Sequence, residues 1–98
     1  MLVPLLLASP ALALGSAFET QCAEKIPMAS CSCMVQEIGR TNDGRIMLEA
    51  SDIRALPKDR QQQAMLAMLN RYGLKPSDLA ALKPKVSPMF DAAWERCK

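Results

Sequence analysis

The sequence predicts an all-α fold: a compact bundle of four to six short helices, stapled by two disulfides. Three observations carry this. Apolar residues recur at helical spacing along the chain, with no sustained alternation of apolar and polar residues. Helix-forming Ala, Leu, Met, Gln, Lys and Arg dominate, while aromatic residues and Val are scarce. Four cysteines, Cys22, Cys31, Cys33 and Cys97, follow an apolar leader. An even cysteine count in a short exported chain reads as a disulfide framework.

The leader comes first. Residues 1–15 carry no charge, and an apolar run from Leu5 to Leu14 is broken only by Ser9 and Pro10. Ala11-Leu12-Ala13 fits a small-x-small cleavage site, and cuts after Gly15 or Ala17 compete with it. The run is too short to span a membrane as a helix. Residues 1–15 are therefore read as a signal peptide, cleaved near Ala13 to Ala17. Residues 16–98 are read as a single helical domain. The expected location is periplasmic or secreted, where thiols become disulfides. Small residues do not precede Cys22, so lipid attachment there is not expected.

The first mature helix is expected to start at Ser16. Ser16 and Glu19 have the spacing of a capping box, and Phe18, Cys22 and Ile26 follow on one face. Pro27 ends or redirects it. A second helix is expected from Ala29 or Ser30 to about Arg40, with Cys31, Met34, Val35 and Ile38 as its apolar stripe. Cys33 lies about 200° around this helix from Cys31. Asn42-Asp43-Gly44 reads as a turn, and Ile46, Met47, Ile53 and Leu56 as the apolar residues of a third segment. Leu56-Pro57-Lys58-Asp59 reads as the start of a helix carrying Met65, Leu66, Met68, Leu69 and Tyr72, closed by Gly73. Pro76-Ser77-Asp78 is expected to open a short helix through Leu82, with Pro84 stopping it. Ser87-Pro88 is expected to start a last helix, with Phe90, Ala93, Trp94 and Cys97 on its inward stripe.

Four cysteines allow three pairings. Pairing Cys31 with Cys33 requires a very tight ring that a helix does not favour. Of the other two, Cys22–Cys33 with Cys31–Cys97 is favoured, because Cys31 and Cys97 share the apolar stripes of their helices. The bend at Pro27 also places Cys33 near Cys22. Cys22–Cys31 with Cys33–Cys97 stays open. The head Phe18-x3-Cys22-x8-Cys31-x-Cys33, followed by a helix and a distant cysteine, resembles a loose group of small exported bacterial helical proteins of uncharacterised function. The resemblance covers residues 18–38 and Cys97. It implies an exported helical domain with paired cysteines, and it carries over no catalytic residue.

Chemistry has few candidates. Cys31, Cys33 and Met34 are soft donors suited to Cu(I), but an oxidising compartment consumes thiols as disulfides. No catalytic residue, metal ligand or cofactor is assigned. Cys-x-Cys in a helical pattern differs from the Cys-x-x-Cys of thioredoxin-like α/β proteins, and haem attachment through Cys-x-x-Cys-His has no counterpart. An EF-hand register around Asn42-Asp43-Gly44 would put Gly39 and Ala50 at the first and twelfth positions, without the needed carboxylates. With no histidine and no Gly-x-Ser-x-Gly, hydrolase chemistry has little to work with. The net charge is +2 with scattered cations, so no nucleic-acid partner is expected. The expected role is a non-enzymatic binding or structural module of the bacterial cell envelope, with an unknown protein partner. A membrane- or lipid-active helical protein is the alternative, resting on the mildly basic stretch from Arg71 to Lys98 with Met89, Phe90 and Trp94.

Overall fold

The computed structural model describes residues 13–98. The leader is read over residues 1–15, of which residues 1–12 lie outside that range. Five helices follow in order: α1 (Ser16–Cys22), α2 (Met28–Ile38), α3 (Asn42–Arg54), α4 (Lys58–Tyr72) and α5 (Pro76–Cys97). No strand occurs among the described residues. The all-α, doubly stapled bundle expected from the sequence is the fold of this chain.

The central helix is α3, which packs against all four others. Its apolar residues explain how. Ile46, Ala50 and Ile53 form one buried stripe. Leu48, about 200° around from Ile46, is buried on the other side. Each side of α3 seeds its own core. One core joins Ile46, Ala50 and Ile53 to Met68 and Leu69 of α4 and to Leu82 and Val86 of α5. The other joins Leu48 to Met34 and Ile38 of α2 and Ala93 of α5, with Phe18 and Ile26 packed against it. Phe90 touches both cores, and its ring meets Phe18 edge-on at 5.5 Å.

Besides α1, which ends at Cys22 rather than running to Pro27, three helix boundaries differ from the sequence expectation. Asn42-Asp43-Gly44 is not a turn but the first turn of α3, capped by the Thr41 hydroxyl accepting from the Gly44 amide at 3.0 Å. Gly44 serves close approach rather than reversal: a Cβ there would lie 1.9 Å from the Ile38 carbonyl oxygen. The expected Ser16–Glu19 capping box is also absent. Gly15 is the N-cap of α1, and the Glu19 carboxylate instead accepts from the Ser32 hydroxyl of α2. The third difference is the largest. Pro84 does not stop a helix, and Ser87-Pro88 does not start one. Both prolines lie inside the 22-residue α5. They occupy its exposed side, where the carbonyls that lose an N–H partner can bond to water. Leu82, Val86 and Ala93 hold the opposite side in both cores, so packing carries the helix through. Elsewhere Gly73 takes the left-handed conformation expected of a C-cap, with φ 67°.

Candidate functional site

Two regions bring together the residues that could carry function. The first is the cysteine head. Cys22 pairs with Cys31, with Cα atoms 5.8 Å apart, and Cys33 pairs with Cys97 at 5.6 Å. This replaces the favoured pairing of Cys22 with Cys33 and Cys31 with Cys97. The physical reason is which helix covers which side of α2. Cys31 points from the first turns of α2 back toward the end of α1 and is fully buried. Cys33, on the other side of α2, meets the last turn of α5, and both partners are only half-buried. Sharing an apolar stripe was no guide, because this second bridge sits at the rim of the α2–α5 contact.

The head therefore offers no thiolate: no free cysteine occurs among the described residues. Cys31 and Cys33 belong to different bridges, and Met34 is a core residue of α2. Two of the three soft donors considered for Cu(I) are therefore disulfide sulfurs. No group of three His, Cys, Asp or Glu side chains placed to hold a metal ion occurs among the described residues.

The second region is an open groove of about 720 Å³ between α1 and α3. Leu14, Ala17, Ile53 and Leu56 supply its apolar lining, and Glu49 and Asp52 its carboxylates. Both carboxylates are already engaged. One oxygen of Asp52 accepts from the Gly15 amide and the other from the Ala17 amide, each at 2.9 Å. The side chain of α3 thus satisfies the first amides of α1, which lack partners within their own helix. Glu49 receives the forked guanidinium of Arg71 and the Tyr72 hydroxyl, both from the end of α4. The hydrogen bond to Glu49, and then its charge, raise the pKa of Arg71 above its ordinary value. Neither carboxylate is poised as a free general base, and the chain has no histidine to share the task.

Sequence reasoning missed Asp52. One local signal pointed to it: an acid in the last turn of a helix faces the negative end of the dipole and needs another reason to be there. Trp94 is also placed differently from the expected inward stripe. It is 37 % exposed, while the neighbouring Ala93 fills the core.

The mildly basic stretch is partly neutralised. Arg71 pairs with Glu49, Arg96 with Glu37, and Lys98 with Glu95. Among the described residues, Lys75, Lys83 and Lys85 find no such partner. No described helix is long and apolar enough to cross a membrane. Compared with protein-family models, curated proteins and solved structures, the chain finds no match.

Proposed function

We propose that this chain is a non-enzymatic binding or structural module of the bacterial cell envelope, working in the periplasm or outside the cell. The observation that carries the reading is the complete use of the cysteines in two bridges that fasten α1 to α2 and α2 to α5. Such bridges persist in oxidising compartments and are rare in the cytosol. The polar side chains of the groove support the same reading, because they hold helices together rather than stand free for chemistry. The resemblance of the cysteine head to small exported helical proteins agrees with it.

The test is affinity capture from envelope extract with the oxidised protein as bait and the reduced protein as control. A partner retained by the oxidised form and lost on reduction supports a rigid module. Substrate turnover by the purified protein, with no partner enriched, overturns it.

A second reading, a membrane- or lipid-active protein, is favoured by one observation: the exposure of Trp94. Half of the nearby cations being paired weighs against it. Trp94 is the only tryptophan, so its emission reports directly. A shift to shorter wavelength with anionic vesicles, absent with neutral ones, is the lipid outcome. Emission indifferent to both removes it.

A further inference from the structure

We propose that the leader is removed by cleavage of the peptide bond between Ala13 and Leu14. In this step a signal peptidase adds water across that amide. The carboxyl group stays on Ala13 and the new amine on Leu14. The inference rests on the exported reading and deepens it, because three small-residue sites compete in the sequence: after Ala13, after Gly15 and after Ala17.

The fold separates them. Its first fixed residue is Gly15, which is buried at φ 84°. A Cβ at this position would lie 2.9 Å from a methyl group of Val35. The Gly15 carbonyl accepts the Glu19 amide at 2.9 Å, an early hydrogen bond of α1. Its amide and that of Ala17 are the two held by Asp52. A cut after Gly15 removes this residue and one of the two Asp52 bonds. A cut after Ala17 removes both, and leaves Phe18, which packs against the second core, as the terminal residue.

A cut after Ala13 costs much less. It takes away the 3.2 Å bond from the Ser16 amide to the Ala13 carbonyl. Ser16 is exposed, so water can replace that partner. Ala13 and Leu14 are exposed as well and precede the helix, so this bond stays accessible when the body has folded. Leu14, the new terminal residue, lines the same groove as Glu49 and Asp52.

The experiment expresses the full chain in an exporting bacterium and reads the N-terminal sequence of the protein recovered from the periplasm. The expected start is Leu14. A start at Ser16 or Phe18 overturns the proposed site while leaving export intact. An uncleaved chain in the cytosol with four titratable thiols overturns the site together with the exported reading. A second arm uses Ala11→Arg, which places a large cation three residues before the proposed bond. The expected result is loss of cleavage and accumulation of precursor. Unchanged processing of that variant overturns the proposal.

Discussion

At the scale of single residues, two positions carry more than their chemistry suggests. Gly44 lies inside a helix, where propensity alone says that alanine should stabilise by about 1 kcal/mol. The Ile38 carbonyl oxygen, 1.9 Å from any added Cβ, reverses that sign. We expect Gly44→Ala to destabilise by about 3 kcal/mol, the upper range for overpacking, read as a fall in the urea midpoint. Asp52 holds two amides of a helix 35 residues and more away in sequence. Asp52→Ala leaves both without a partner in a half-buried place and should cost about 2 kcal/mol, with the loss of order confined to residues 14–18 by NMR. The sequence revealed Gly44 but suggested the wrong reason for it, because a glycine after Asn-Asp reads locally as a reversal. It could not reveal the role of Asp52, because the amides it serves become neighbours only when α1 folds onto α3.

At the scale of elements, α5 shows where local rules stop. Pro84 and Pro88 predict a broken helix, since each lacks an N–H and crowds the carbonyl of the preceding turn. The stripe of Leu82, Val86 and Ala93 spans both prolines and buries against two cores. That burial outweighs a local penalty of about 3 kcal/mol per proline. Pro84→Ala restores a donor on the exposed side while loosening the unfolded chain. We expect a net gain of about 2 kcal/mol, read as a higher melting temperature and unchanged helix content. A fall in stability would mean that α5 needs the shape proline imposes. The helices α2 and α4 were legible because each has one apolar side and a clear boundary, at Pro27 before α2 and at Gly73 after α4, whereas α1 stops at Cys22, short of the expected Pro27. In α3, by contrast, Leu48 escaped notice: a helix buried on two sides has no single stripe to find.

At the scale of the whole molecule, covalent support is uneven. Both bridges fall on the side of the second core, tying α1 to α2 and α2 to the end of α5. On the chain-entropy account the short and long loops contribute about 3 and about 4 kcal/mol. Helix α4 has no bridge. It buries Met68 and Leu69 against the first core and leaves Leu66 56 % exposed. Its link to α3 through Arg71 and Glu49 is at the surface, where solvent screens an ion pair. Hydrogen exchange should therefore find the amides of α4 opening at lower free energy than those of α2. Equal protection would show one cooperative unit. The number of bridges was legible from an even cysteine count. Which cysteines pair was not, because that depends on which helix covers each side of α2.

The Cys33–Cys97 bridge also has a mechanical consequence. It closes almost two thirds of the chain into a ring, and Cys22–Cys31 closes a smaller one in series. A load applied between residue 14 and Lys98 runs through the sulfurs and bypasses α3, α4 and nearly all of α5. Only the stretch before Cys22, the three residues from Cys31 to Cys33 and the last two residues can be drawn straight. Their contour length is about 50 Å, against about 290 Å for the opened chain. The oxidised protein is thus a short, nearly inextensible link, and a reductant turns it into a long one.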